Sequence, residues 1–341
     1  MKNRCLLCEK NEANQTGSHL TSCFIVASQF GKRGEEKAYE ITADPNQDYS
    51  ENKEATGIKE DFMLCAGCEK RLSFVETYFS QELTNKIGES KYLENFPITE
   101  IKDENSSKFH LCVKINPIAF HLLFYSIIWR ASISNNPIFS GFKLEQKVME
   151  NLRFILDLYL PEYKDYKIVP KLKQWLKDLD NVPDFFSLYP YLILRTEEED
   201  IDVSKLTEKE LEEWEKRKTK NLLYFAFENN HPYHIILNEF IILVFFNEGE
   251  IDFTKQDYFE LSDKYDLEGQ MNKTISPPKI GILKYEDWSR INKKIIDAVA
   301  SQRINNIRRE CVKNILDQGK IPNISEIVDC VNKKIKIIKM K

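Results

Sequence analysis

The stretch LCAGCE at residues 64–69 and the stretch CLLC at residues 5–8 each hold two cysteines separated by two residues. This spacing lets one tight turn present two sulfurs to a single ion, and two such turns complete the four thiolates of a structural zinc site. The predicted ligands of a Zn²⁺ ion are Cys5, Cys8, Cys65 and Cys68. The alternatives are that one pair is redox-active or that neither pair holds a metal.

The rest of residues 1–75 is polar and has few continuous apolar segments. A segment that cannot bury a large core is typical of small modules that a metal holds together. From about residue 76 the apolar content rises, and residues 196–220 are rich in charge. We therefore expect three parts: a zinc module at 1–75, a helical domain at 76–195, and a charged linker, β-hairpin segment and basic helical end at 196–341.

Several segments have a recognisable helical or strand pattern. Apolar residues recur at helical spacing in 73–83, 144–160 and 286–318, and Pro117 begins a segment that is apolar nearly all round and therefore central. Residues 222–228 and 233–246 are rich in β-branched and aromatic residues on either side of a turn, which indicates a hairpin. The predicted fold class is α+β: a small N-terminal module, a mainly helical domain and a β-hairpin segment.

The overall composition excludes several classes of protein. With 42% hydrophobic residues and a net charge of −5, the chain is neither disordered nor a polycation that would coat DNA. The beginning of the chain shows no signal peptide, and its apolar runs are shorter than the roughly 20 residues that span a bilayer. We therefore expect a cytoplasmic protein with no membrane partner. The sequence contains no glycine-rich nucleotide-binding motif.

The order Cys5-x-x-Cys8, then Ser18-His19, then Leu64-Cys65-x-x-Cys68-Glu69 resembles the zinc-stabilised HNH endonucleases, also called His-Me finger or ββα-metal nucleases. The resemblance covers about the first 70 residues. It implies that a histidine on a β-hairpin faces a divalent ion held at a helix. In such sites the histidine deprotonates water and the metal stabilises the scissile phosphate.

Carried over residue by residue, the resemblance implies that His19 is the general base and that Asp61 and Glu69 are ligands of a catalytic Mg²⁺ or Mn²⁺ ion. This sequence departs from the family pattern at four places. Ser18 precedes the base, Glu60 or Asp61 stands at the asparagine position, Glu69 stands at the last histidine position, and Ser22 stands where a proline is common. A lone histidine is otherwise more often structural, and Glu69 would also suit the N-terminus of a helix.

Two further features could contact nucleic acid. The predicted phosphate-binding residues near the C-terminus are Arg308, Arg309, Lys333 and Lys334. A solvated helix face is the alternative. Arg130, at the end of the apolar segment, could reach a phosphate, but such an arginine more often neutralises a helix end and extends to solvent.

These features predict a metal-dependent endonuclease that hydrolyses nucleic-acid phosphodiesters. Its cofactors would be structural Zn²⁺ and catalytic Mg²⁺ or Mn²⁺, with nucleic acid as substrate. The combination of such a module with an accessory domain is similar to proteins of anti-phage defence and mobile-element loci, which implies a protein partner from the same locus. The alternative is a non-catalytic zinc-binding or nucleic-acid interaction module with a degenerate site.

Overall fold

The structure is a computed structural model, and it describes the parts of the chain given next. They are residues 4–20, 38–40, 51–52, 59–83, 86–87, 89–101, 107–136, 139, 143–162, 172–182, 189–196, 207–209, 222–225, 233–237, 240–247, 251–253, 260–273 and 276–340. Most of the predicted charged linker, including 197–206 and 210–221, lies outside them, as does the predicted hairpin turn at 229–232.

Eleven strands and six α-helices are described. The strands are β1 (Ser18–His19), β2 (Ala38–Glu40), β3 (Glu51–Asn52), β4 (Lys59–Glu60), β5 (Ile98–Ile101), β6 (Ser107–Leu111), β7 (Tyr191–Thr196), β8 (Leu222–Phe225), β9 (Tyr233–Leu237), β10 (Phe240–Val244) and β11 (Lys279–Leu283). The helices are α1 (Ala66–Glu82), α2 (Pro117–Ile133), α3 (Gln146–Tyr159), α4 (Leu172–Asp180), α5 (Tyr285–Asp317) and α6 (Ile324–Met340).

Nine of these strands form one mixed sheet in the order β3-β2-β8-β9-β10-β7-β11-β6-β5. The β7–β11 and β2–β8 pairs are parallel and the other pairs are antiparallel. Strand β7 lies inside the sheet, and alternate residues enter two different apolar clusters, Tyr191 and Ile193 on one side and Leu192 and Leu194 on the other. Both faces of the sheet are therefore covered at its centre.

Helix α2 is the central helix, as its sequence predicts. Every residue from Ile118 to Ser132 is buried. The helix begins where Pro117 occupies its first turn and the Asn116 side chain accepts a hydrogen bond from the Ala119 amide at 2.9 Å. Proline suits this position because the amide it lacks would have no partner there.

The N-terminal module consists of the two cysteine turns, the two-stranded β1–β4 sheet and α1. Four polar side chains tie it to α2 and α3. Glu60 accepts hydrogen bonds from Ser134 and Asn135 just after α2, and Arg130 of α2 contacts His19 and Glu76. Arg71 of α1 bonds to Asp157, and Arg153 of α3 donates to the Leu7 carbonyl. The module is thus seated on the helical part of the protein.

The fold class α+β is confirmed, and the predicted helices match α1, α2, α3 and α5 to within a few residues at most ends; α1 alone begins seven residues earlier, at Ala66. The sheet is larger than the predicted mainly helical domain and β-hairpin segment imply, because β5, β6, β7 and β11 also join it. The segment 233–246 forms two strands, β9 and β10, and not one. The three-part division at residues 75 and 195 stays a prediction.

Helices α5 and α6 form a C-terminal helical hairpin, and a disulfide joins Cys311 to Cys330 across it. No sequence signal indicated this pairing, since the two cysteines have no motif in common. Among the described residues, none of the helices combines the length and apolar character required to cross a membrane.

Candidate metal centre and the His19 cluster

The cysteine quartet, defined as Cys5, Cys8, Cys65 and Cys68, brings four sulfur atoms within 4.8 Å of one another. The Cys8 and Cys65 sulfurs are 3.9 Å apart. Sulfurs that lie ~2.3 Å from a tetrahedral zinc ion are about 3.8 Å from each other. The quartet therefore has the ligand type, number and spacing of a structural zinc site, and these four residues would hold the ion.

Local backbone structure places the four sulfurs. The first turn closes with hydrogen bonds from the Glu9 amide to the Cys5 carbonyl and from the Cys5 amide to the Asn11 carbonyl. Glu9 has a left-handed φ of 55°, which reverses the chain just after Cys8. On the other side, Cys65 occupies the N-cap position of α1 and Cys68 lies in the first turn of that helix. The Asn11 side chain also points its amide at the Cys65 sulfur, at 3.7 Å.

The quartet shares protons unevenly. A hydrogen bond from the Cys68 thiol lowers the pKa of Cys5 to about 4, whereas burial raises the pKa of Cys65. The same hydrogen bond, between the Cys68 thiol and Cys5, raises the pKa of Cys68. Zinc binding would displace the thiol protons, because thiolates are the ligands.

His19 lies on β1, which pairs with β4 so that His19 stands opposite Lys59. The side chain is half-buried, and its Nδ1 atom is buried with no hydrogen-bond partner. Burial lowers the pKa of His19, and the nearby Lys59 ammonium lowers it further. The imidazole is therefore neutral at neutral pH, which is the form that can accept a proton.

Glu69 lies on α1, one residue after the second cysteine turn. One carboxylate oxygen, Oε2, is buried with no hydrogen-bond partner, and burial raises the pKa of this carboxyl group. The Ser18 hydroxyl lies beside it and lowers the pKa in part, although its Oγ atom has no partner in hydrogen-bonding geometry. The residue before His19 therefore brings β1 next to Glu69.

Two more residues complete the site, and the sequence motif did not include them. Glu76 follows Glu69 by seven residues, which places both on one face of α1. Arg130 of α2 forms an ion pair with Glu76 at 2.6 Å and donates to the His19 carbonyl oxygen at 2.6 Å. We call Ser18, His19, Glu69, Glu76 and Arg130 the His19 cluster.

The interpretation of Arg130 as a solvated residue at a helix end was wrong, since the residue is 2% exposed. Its guanidinium is held inside by Glu76 and by the Ser126 carbonyl. The one signal in the sequence is that α2 is apolar on all sides, so a charged residue within it has to find a buried partner.

The structure does not bring Asp61 into the His19 cluster. Asp61 is exposed, and its carboxylate accepts a hydrogen bond from the Gly17 amide at 2.6 Å, which closes the turn before β1. Glu60, the other residue at that position, is bonded to Asn135. Among the described residues, the cysteine quartet is the one group of three or more potential metal ligands whose ligand atoms lie close together. His19, Asp61 and Glu69 do not form such a group.

The predicted phosphate-binding residues lie on the C-terminal helical hairpin. Arg308, Arg309 and Lys333 are exposed, whereas Lys334 forms an ion pair with Glu310 at 2.6 Å. Three of the four are thus available to an anionic partner. Comparison of the chain with protein families, with curated proteins and with solved structures finds no match.

Proposed function

We propose that the N-terminal module is a zinc-stabilised, metal-dependent endonuclease site that hydrolyses nucleic-acid phosphodiesters. The observation that carries the proposal is the arrangement of the His19 cluster. A histidine on a two-stranded sheet lies beside the helix that the second cysteine turn begins, and both His19 Nδ1 and Glu69 Oε2 are buried without a partner. An unpartnered buried polar atom is costly, and a catalytic role or an ion that binds beside it is one explanation for it.

In this proposal the neutral His19 imidazole accepts a proton from the water that attacks phosphorus. Glu69 is the residue of α1 that would hold a Mg²⁺ or Mn²⁺ ion, since carboxylate oxygen is a preferred ligand of both. Such an ion supplies charge stabilisation to the scissile phosphate and the leaving oxygen. Lys59, exposed opposite His19, adds positive charge to the entrance of the site.

A second candidate function is a non-catalytic zinc module that binds nucleic acid or a protein encoded nearby. The position of Asp61 favours this second function. The resemblance assigns two ligands to the catalytic metal, Asp61 and Glu69. Because the Asp61 carboxylate instead closes a turn, Glu69 is left as the one ligand of that pair. In this case the cysteine quartet and the helical hairpin would carry binding, and His19 would have no chemical role.

The test is incubation of the zinc-loaded protein with plasmid, single-stranded DNA and RNA in Mg²⁺, Mn²⁺ or Ni²⁺. His19→Gln and Glu69→Gln should each abolish cleavage, whereas Glu82→Gln, a glutamate at the far end of the same helix, should not. Zinc content and melting temperature establish that each variant is folded. Absence of cleavage in the wild type under every condition, or cleavage that survives His19→Gln, would support the second candidate.

A further inference from the structure

Arg130 connects three elements of the protein at one point. Its Nη1 donates to the His19 carbonyl of β1 and its Nη2 to Glu76 Oε1 of α1, both at 2.6 Å. Within its own helix, Nε donates to the Ser126 carbonyl at 3.2 Å and Nη2 reaches the Ser126 hydroxyl at 3.3 Å. The guanidinium therefore has a fixed position, because a planar group with several partners cannot rotate without losing them.

The strand that carries His19 is short, and the residues on either side of His19, Ser18 and Leu20, are buried. Strand β1 comprises two residues, and its partner β4 comprises two as well. A two-stranded sheet of this length is not stable by itself in water. The Arg130 hydrogen bond to the His19 carbonyl is therefore one of the contacts, together with the packing of Leu20 in the core, that hold this strand in place beside α1.

The partner of Arg130 on α1 matters for the same reason. Glu76 shares a helix face with Glu69, so the ion pair fixes the distance between the strand that bears His19 and the face that bears Glu69. The Glu76 side chain is 15% exposed and that of Arg130 is 2% exposed, so solvent screens this pair little. A buried pair of this kind specifies geometry more than it adds stability.

We propose that Arg130 is a positioning residue that holds His19 in its reactive place from outside the N-terminal module. This inference rests on the proposed endonuclease function for its chemical meaning. It adds that the helical domain is part of the active site, since α2 supplies the group that orients the base. The N-terminal module would then be inactive without α2, even when it holds zinc.

The test uses the full-length, zinc-loaded protein. Arg130→Met alone leaves Glu76 with a buried charge and could unfold the module, so the decisive variant is Arg130→Met with Glu76→Leu, which removes both charges together. Arg130→Lys keeps the charge but replaces the two-pronged donor by a single ammonium. The matched control is Arg153→Met, which also removes an arginine that donates to a backbone carbonyl of the module, that of Leu7.

Two readouts separate positioning from folding. The first is kcat and KM for cleavage, because misplacement of a catalytic group by about 1 Å can cost ~100-fold in rate. We expect the double variant to lose at least tenfold in kcat with KM, zinc content and melting temperature close to wild type, and Arg130→Lys to lie between the two. Arg153→Met should keep the wild-type kcat.

The second readout does not depend on cleavage. It is the NMR titration of the His19 imidazole, whose charged neighbours from the packed elements are Lys59 on β4, Glu76 on α1 and Arg130 on α2. In the wild type one ordered imidazole signal is expected, and in the double variant a broadened signal. An unchanged His19 signal and unchanged kcat in the double variant would overturn the inference. A broadened signal in a protein that never cleaves would support positioning while the endonuclease proposal fails.

Discussion

The cysteine quartet and the His19 cluster occupy the same short module, yet they satisfy their polar atoms in opposite ways. In the quartet, four like ligands face one another and a single ion would complete all of them at once. In the His19 cluster, Arg130 and Glu76 are paired, while Ser18 Oγ, His19 Nδ1 and Glu69 Oε2 are buried without partners. A closed set of ligands stabilises a fold, whereas an unfinished set is what a reactive site requires.

The largest expected effect is loss of the quartet. Cys65→Ser should reduce zinc binding below one ion per chain and unfold residues 4–20 together with the start of α1. Structural zinc contributes roughly 10–16 kcal/mol of apparent binding free energy in small zinc modules. Zinc content by elemental analysis and the melting curve of the module measure the outcome.

The matched control for that prediction is Cys112→Ser. Cys112 is fully buried but lies outside the quartet, so its variant should lose some stability and keep its zinc. Equal zinc content in Cys65→Ser and Cys112→Ser would show that the quartet is not the metal site.

The opposite sign is expected for Glu69→Gln. The wild-type carboxylate has a buried oxygen without a partner, and a neutral amide of the same shape removes that charge. Relief of such a cost at a functional site commonly adds ~0.5–2 kcal/mol to the free energy of unfolding. Urea unfolding at pH 7.5 without Mg²⁺ measures it, with Glu82→Gln as the control that should not change. A less stable Glu69→Gln protein would show that this carboxylate has a structural role.

The sequence predicted the quartet correctly because metal-ligand spacing is a local property of two tight turns. It also predicted the central helix, since Pro117 and an all-round apolar segment specify a buried helix whatever surrounds it. The strand β7 was not predicted because both of its faces are buried, so its residues lack the alternation that identifies a half-exposed strand.

The His19 cluster could be predicted only in part, for a physical reason. His19 and Glu69 follow from spacing along the chain, but Arg130 lies 111 residues after His19 and reaches it through the packing of α2 against the module. Asp61 was placed in the site by its position in the motif alone. Its carboxylate is instead taken by the Gly17 amide, a contact that no spacing rule anticipates.

A smaller effect of the same comparison should appear in the pH dependence of stability. Burial and Lys59 lower the pKa of folded His19, so the unfolded chain takes up a proton first as the pH falls below about 6.5. The His19 contribution to stability is therefore full above that pH and decreases on acidification toward the folded pKa. His19→Gln should flatten the decrease in the free energy of unfolding between pH 7 and pH 5.5, measured by urea unfolding. The same slope in wild type and variant would show that His19 titrates as it does in the unfolded chain.

The smallest expected effect extends the contrast between paired and unpaired groups to the C-terminal helical hairpin. Lys334 is paired with Glu310, whereas the described contacts include no ion pair for the exposed Lys333. If the hairpin binds nucleic acid, Lys333→Ala should weaken binding a few-fold and reduce the slope of log K against log salt by about 0.9, the value for one lost phosphate contact. Removing the whole pair with Lys334→Ala and Glu310→Ala should change neither quantity. Fluorescence anisotropy with duplex DNA at several salt concentrations measures both quantities for the Lys333→Ala variant and for the double variant. If the two variants bind equally weakly, Lys334 must leave Glu310 to contact phosphate. Neither substitution should alter the free energy of unfolding by more than ~0.5 kcal/mol, because surface positions contribute little to it.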